Sequence, residues 1–489
     1  MSDLREPLLR VRDVLLGAGY TVAGVRELLG PVAGGALARD EITPALRATG
    51  GGSPVEVLTR LFWLQVPVDA AAIAADDLVA AGLAEVSGGE LRARLRVEPL
   101  EAVSGDGLAR DPGHAGYVVS DLTVRPGSGA VPGADHVVGA GGASGGLARL
   151  VVHKPVENVL DLGTGCGVQA VHLAGRSPAA RITATDVNPR ALALAEMSFA
   201  LSGLNGAELL QGSLLEPVRG RRFDLIVSNP PFVVAPSGGR HFTYRESGMP
   251  GDDFCRRLVG DAPRHLTDGG YCQLLANWLH IDGVPWEERV GSWVDGCDTW
   301  IVQRDVQDPA EYAELWLRDS CEAGTPEYRA RYGAWLDHFE RLGVTGIGFG
   351  WITLRRSERP AVRIEELRHA VEQPVGAYVD DVLDGLAKAA EFSTACGQTL
   401  GVASGIVQEQ IGAPGAEDPE RIVLRQTGRL RRAAAVGTVE AALAGVCDGT
   451  LPLDPLLGAI AQLTGTDPAE VRAQADDVLP DLIADGFFG

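Results

Sequence analysis

The apolar rhythm changes twice along the chain. Up to about residue 100 apolar residues recur at helical spacing, in LLRVRDVLLGAGY, VRELLG and VEVLTRLFWL. PVDAAAIAADDLVAAGLAEV continues that spacing as a further helix, and SGGELRARLRVEPL then alternates as a strand pair. From Asn158 short apolar runs alternate with helical patterns. NVLDLGTGCG reads as strand and Gly turn, VQAVHLAGR as helix, RITATDV as strand, and PRALALAEMSFALSGL as a helix with Pro in its first turn. AELLQGSLLEP, FDLIVSNPP and GGYCQLLAN add strands, with the helix DDFCRRLVGDAPRHL before the last. TWIVQRDV (299–306) and IGFGWITLRR (347–356) close the series around a helical insertion, DPAEYAELWLRDS to YRARYGAWLDHFERLG. Strands apolar on both faces and separated by helices predict an α/β fold with a parallel, doubly wound sheet.

Three regions follow: an N-terminal helical domain (1–103), an α/β core (117–356, insertion 307–343) and a C-terminal domain (357–489). The Gly-, Asp- and Pro-rich stretch Ser104–Gly116 has no apolar periodicity and reads as a linker. Helices followed by a strand pair make the first domain resemble a winged helix. The final stretch, VEAALAGVCDGT to IADGFF, reads as three short helices and resembles a second module of that kind.

Bulk properties narrow the classes. Of 489 residues, 45% are hydrophobic and 22% charged, as in globular proteins with an aqueous surface. No apolar run approaches the ~18 residues of a membrane span, and MSDLREPLLRVRDVL lacks a signal-peptide core, so a cytoplasmic protein without membrane partners is expected. Seven scattered cysteines without C-x-x-C, and nine histidines without H-x-x-x-H, predict reduced thiols and no structural metal. A net charge of −22 opposes generic nucleic-acid binding, which draws on Lys and Arg. ELRARLR (90–96) and RQTGRLRRAAA (425–435) are local arginine clusters that read either as solvated faces or as a basic stripe.

The chemistry-bearing residues lie at strand ends. Gly163, Gly165 and Gly167 stand where a strand turns into a helix, and glycines let a backbone approach a ligand closely. Asp186 ends the next strand, where a carboxylate accepts hydrogen bonds from both ribose hydroxyls of a nucleoside; the plainer role there is a helix cap. Asp161 precedes the turn and holds either the turn itself or a ligand amine. SNPPFVV (228–234) stops its strand with two prolines, neither of which donates to a ladder.

DLGTGCG, TDVNPRAL and FDLIVSNPPF together resemble the class I S-adenosylmethionine-dependent methyltransferases. NPPF resembles their amino-methylating branch, which includes HemK-type protein-glutamine methyltransferases and base amino methyltransferases of DNA and ribosomal RNA. The likeness covers roughly 135–356 and implies a Rossmann-like, seven-stranded core. It also implies S-adenosylmethionine as cofactor, held by Asp161, Gly163, Thr164, Gly165, Gly167, Asp186, Val187, Gly212, Ser213, Leu214 and Asn229. Many relatives carry Asp where this chain has Ser213, so a charge-assisted bond to the adenine becomes a neutral one. The resemblance further implies that Asn229 Oδ1 and the Pro230 carbonyl accept the two N–H groups of a planar target nitrogen. Phe232 then stacks on the target's flat face, and no general base is needed.

TYRESGMPGDDFCRRL (243–258) resembles the HemK-type segment after the motif. Arg245 and Glu246 are candidates to touch substrate; the plainer reading is a solvated loop with Asp252 or Asp253 as N-cap. GAGGASGG (139–146) resembles a loop that lies over the cofactor. A protein or peptide substrate of the glutamine type is favoured, an RNA or DNA base is the alternative, and a non-catalytic cofactor sensor comes third.

Overall fold

The computed structural model describes residues 2–103, 115–124, 132–236, 242–319, 326–394, 397–415 and 418–489. Cys321, Cys396 and most of the Ser104–Gly116 linker lie outside the described residues. The chain divides into two compact units: 1–295 with 303–353, and 296–302 with 354–489.

The first unit opens with helices α1 (Ser2–Gly17), α2 (Val22–Leu37), α3 (Thr43–Ala48) and α4 (Pro54–Leu58). A three-stranded antiparallel sheet of order β1-β3-β2 follows, from β1 (Val68–Asp69), β2 (Ala84–Ser87) and β3 (Glu90–Ala93). The segment expected as one helix from Pro67 is instead strand, turn, short helix α5 (Ala75–Ala80) and strand. Two local features interrupt the helix. The Asp69 carboxylate accepts the Ala71 N–H in a tight turn, and Gly82 takes a left-handed φ of 72° beyond α5. β4 (Arg96–Leu100) then pairs antiparallel with β5 (Gly116–Ser120).

The core begins with α6 (Gly142–Leu150), β6 (Asn158–Leu162), α7 (Val168–Arg176), β7 (Arg181–Asp186) and α8 (Pro189–Ser202). Next come β8 (Glu208–Gln211), β9 (Phe223–Ser228), α9 (Asp253–Asp261), β10 (Leu266–Ile281) and α10 (Trp286–Gly291). β11 (Cys297–Gln307), α11 (Pro309–Asp319), α12 (Tyr328–Arg341) and β12 (Val344–Arg356) complete it; β11 and β12 run across the division between the units. These seven lie in the order β11-β12-β10-β9-β6-β7-β8 within an eight-stranded sheet, whose remaining edge strand, Val362–Glu366, flanks β11. β6, β7, β8, β9 and β10 are mutually parallel along that order. Numbered from β6, this is 6-7-5-4-1-2-3, the Rossmann-like seven-stranded core that the motifs implied. Val159, Leu160, Ile226 and Val227 are fully buried, as strands covered on both faces require.

The order reverses at β6, whose neighbours are β7 and β9. Ligands of such sheets bind beyond the carboxyl ends of the strands at that reversal. The Gly turn leaves β6 there, and NPPF leaves β9 beside it.

The second unit carries β13 (Val362–Glu366), α13 (Val379–Glu391) and β14 (Thr399–Gly401). An antiparallel sheet follows, of β15 (Ile406–Ile411), β16 (Arg421–Gln426) and β17 (Ala433–Val436). Helix α14 (Thr438–Val446), β18 (Asp448–Pro452), α15 (Leu453–Thr464) and α16 (Pro468–Ala484) end the chain. The final stretch thus holds a strand between its first two helices, and β18 pairs with β14. Leu443, Leu453, Leu457, Leu479 and Phe487 form the core of this unit.

Candidate active site

The turn after β6 is organised from below by two carboxylates. Asp161 is buried, and its Oδ2 accepts the Thr164 hydroxyl (2.7 Å) and the Ala170 N–H (3.1 Å). Burial pushes its carboxyl up to about 6. Asp186, at the end of β7, accepts the Gly165 N–H (2.9 Å) on one oxygen and the Asn188 N–H (2.8 Å) on the other. Each oxygen keeps a lone pair for a further donor. Burial raises the Asp186 carboxyl also, against three backbone N–H bonds. The helix cap that the sequence offered as the plainer role of Asp186 belongs to Asn188, whose side chain accepts the Arg190 N–H.

Gly167 precedes α7 as its N-cap at φ 87°, and a Cβ there would stand 2.7 Å from the Phe199 ring. A glycine is therefore required both by dihedral and by space. Val187, next to Asp186, exposes more than half its surface as an apolar face beside the carboxylate. Gly212 donates its N–H to the Asp186 carbonyl (3.0 Å), which brings the Gly212-Ser213-Leu214 turn to the same edge. Leu214 takes φ 49°, a left-handed backbone that branched side chains seldom adopt.

Asn229 extends from β9 on the other side of the reversal. Its Oδ1 is buried and has no hydrogen-bond partner. Such an acceptor costs roughly 1–3 kcal/mol while unsatisfied. Pro230 is buried behind it. Phe232 pairs in a bridge with Glu246, and the Val233 N–H donates to the Arg245 carbonyl (2.8 Å). The Phe232 ring meets Trp316 of α11 edge to face, with centroids 6.5 Å apart.

The segment after the motif is not a solvated loop. Arg245 is 3% exposed, its guanidinium lies 4.6 Å from the Phe242 ring centre, and it pairs with Glu246 at 3.1 Å. Its Nη1 donates to the Trp316 carbonyl (2.8 Å). Asp252 precedes α9 without capping it by its side chain. Instead it accepts both Nη atoms of Arg289 at 2.6 Å and the Leu279 N–H at 2.8 Å. Tyr312 of α11 was not singled out in sequence; its hydroxyl accepts the Val234 N–H (3.1 Å) and Asn277 Nδ2 (3.0 Å). Among the described residues no cluster of three or more His, Cys, Asp or Glu is arranged to hold a metal, and no helix is long and apolar enough to cross a membrane.

The chemistry of the donor set fits a nucleoside cofactor: a paired-lone-pair carboxylate, an exposed apolar face and a glycine cradle on one side of an orphaned acceptor. Comparison with known proteins agrees. Residues 142–281 match the family described as methyltransferase small domain, and residues 17–94 match a domain of unknown function, DUF7059. Release factor glutamine methyltransferase of Xylella fastidiosa (strain Temecula1) is 37% identical over 136 residues, 26% of this chain and 49% of that protein. Ribosomal protein uL3 glutamine methyltransferase of Bradyrhizobium diazoefficiens is 32% identical over 181 residues, 34% of this chain and 57% of its own. Ribosomal RNA small subunit methyltransferase C of Salmonella choleraesuis is 36% identical over 132 residues, 27% and 34% of the two chains. The chain thus spans about half the length, or less, of these relatives. Residues 142–281 are therefore a methyltransferase domain, for which S-adenosylmethionine is the implied methyl donor.

Proposed function

We propose that the protein is an N-methyltransferase acting on a planar amide or amino nitrogen of a protein or peptide, with a glutamine side chain as the favoured target. The observation that carries this reading is the buried, partnerless Asn229 Oδ1 at the end of β9. An amide NH2 offers two donors and no basic lone pair. Asn229 Oδ1 and the Pro230 carbonyl take one N–H each, which turns the nitrogen toward the incoming methyl and favours positive charge on it. Phe232, braced by Trp316, supplies a flat apolar face for the planar group.

S-adenosylmethionine, when bound, supplies an electrophilic methyl on a sulfonium. Asp186 holds the ribose hydroxyls, Val187 and the Gly212–Leu214 turn border the adenine, and Asp161 with Gly163–Gly167 fixes the rest. The proton leaves the nitrogen after transfer, so the absence of a catalytic His or Glu from the named set costs nothing. The two glutamine methyltransferase relatives support an amide target. The ribosomal RNA methyltransferase relative supports a second reading, a base amino group.

Tritiated-methyl S-adenosylmethionine, added with the protein to lysate of a strain lacking it, tests both. Label that survives nuclease and is lost to protease is expected; the reverse pattern overturns the protein target. Asn229→Ala should cut labelling by about 10² or more and leave S-adenosylhomocysteine affinity within about twofold. A matching loss of that affinity would count against the acceptor role.

A further inference from the structure

We infer that Glu98, on the strand that leaves the N-terminal domain, is a cofactor-positioning residue: it holds the Gly139–Gly142 segment against the Gly163–Gly167 turn. The inference rests on the reading that this turn holds the cofactor. Glu98 lies outside residues 142–281, in a part of the chain that the methyltransferase match does not reach.

Glu98 is 5% exposed, unusual for a carboxylate, and a buried charge persists only with partners. It has two. Arg96 Nη2 lies 2.7 Å from Oε1, and the Ala140 N–H donates to Oε2 at 3.1 Å. A Cβ on Gly139 would collide with Oε2 and with Ser120 Oγ. The Gly-rich stretch therefore begins with glycine because a carboxylate presses on it, and the two residues constrain each other.

The held segment continues directly into α6. There the Ser144 hydroxyl closes the first turn against the Gly141 N–H (2.9 Å). The Ser144 carbonyl accepts Gln169 Nε2 (2.8 Å), and Gln169 stands two residues past Gly167 at the start of α7. Glu98 thus fixes one end of a short strut whose other end is the glycine turn. The Glu98 charge is felt at Cys166 within that turn, where it helps burial push the thiol up.

The same strut is anchored in the N-terminal domain. The Arg96 guanidinium lies 5.7 Å from the Trp63 ring centre, and its Nη1 donates to Thr123 Oγ1 at 2.6 Å. Trp63, Arg96, Glu98 and Ala140 form an unbroken series of contacts from the helical domain to the segment that leads into α6. The N-terminal domain is then part of the cofactor site rather than an appendage to it.

Calorimetry with S-adenosylhomocysteine tests this on the full chain. Wild type binds if the cofactor reading holds; a wild type that does not bind removes that reading, and the inference with it. With wild type binding, Glu98→Ala and Gly139→Ala should each raise the dissociation constant about tenfold. Glu98→Gln keeps an oxygen for the Ala140 N–H and should stay within about threefold of wild type. Equal affinity in all four proteins, or a glutamine variant as weak as the alanine one, overturns the inference. Where Glu98→Ala does not fold, amide exchange of the wild type decides. Saturating S-adenosylhomocysteine should slow exchange at Ala140–Gly142 as it does at Gly163–Gly167; unchanged exchange at Ala140–Gly142 overturns the inference.

Discussion

Asp161 shows at the scale of one residue how the site stores free energy. The carboxyl is fully enclosed, and no guanidinium or ammonium pairs with it among its hydrogen-bond partners, which are the Thr164 hydroxyl and the Ala170 N–H. Its value of about 6 in the fold compares with about 3.9 in an unfolded chain. The folded state therefore binds the proton more tightly. Stability contributed by this group is full below about pH 4, falls as pH rises to about 6, and stays low above that. Asp161→Asn keeps an oxygen for both donors and removes the charge. At pH 8 the variant should be more stable than wild type by ~1–3 kcal/mol, and at pH 4 the gain should vanish, read by urea unfolding at the two values. A gain of the same size at both values would show that desolvation of the charge is not its origin. The variant's affinity for S-adenosylhomocysteine should fall about tenfold, since a buried charge kept at this cost is one that a ligand uses.

At the scale of elements, the insertion between β11 and β12 belongs to the site. Tyr312 and Trp316 are one turn apart on α11 and so share a face. One accepts the Val234 N–H just beyond the NPPF turn, and the other meets the Phe232 ring edge-on. Arg245, beside the isolated Phe232–Glu246 bridge, donates to the Trp316 carbonyl and closes the turn from the other side. Tyr312→Phe leaves the Val234 and Asn277 donors buried without their shared acceptor, at ~1–3 kcal/mol each. Thermal unfolding should shift down. Methyl labelling should drop about tenfold, while S-adenosylhomocysteine affinity stays within about twofold; a parallel fall in that affinity would place Tyr312 in the cofactor site instead.

The same elements show what the sequence could and could not reveal. Strand positions and the two strand-end motifs were legible because their signals are contiguous: apolar runs, a Gly turn, a Pro-Pro stop. Tyr312, Arg245 and Glu98 were not, because each acts across 40 to 80 residues of chain on a backbone group that carries no side-chain signature. Arg245 and Glu246 read either as substrate contacts or as part of a solvated loop, the commoner place for loop charge; here aromatic rings and mutual pairing offset their desolvation. The helix expected from Pro67 failed for a local reason, a capped turn at Asp69 that apolar periodicity does not register.

For the whole molecule the question is where its positive charge is spent. A net charge of −22 leaves 43 Lys and Arg against 65 Asp and Glu. The two arginine clusters that held open a basic stripe are largely paired. In the first unit Arg92 lies 2.6 Å from Glu90 and Arg96 lies 2.7 Å from Glu98. In the second, Arg425 pairs with Glu409 at 2.8 Å, Arg429 with Asp381, and the buried Arg432 with Glu365. A guanidinium already neutralised by a carboxylate releases no counterion from a phosphate backbone, so these residues add little to a salt-dependent term. The 489-residue chain should therefore bind random-sequence duplex DNA and bulk transfer RNA more weakly than about 10 µM at 150 mM salt, in filter or mobility assays. A steep salt dependence with sub-micromolar affinity at low salt would show a positive face that these ion pairs do not display. That result would move the target of Asn229 from an amide to a base.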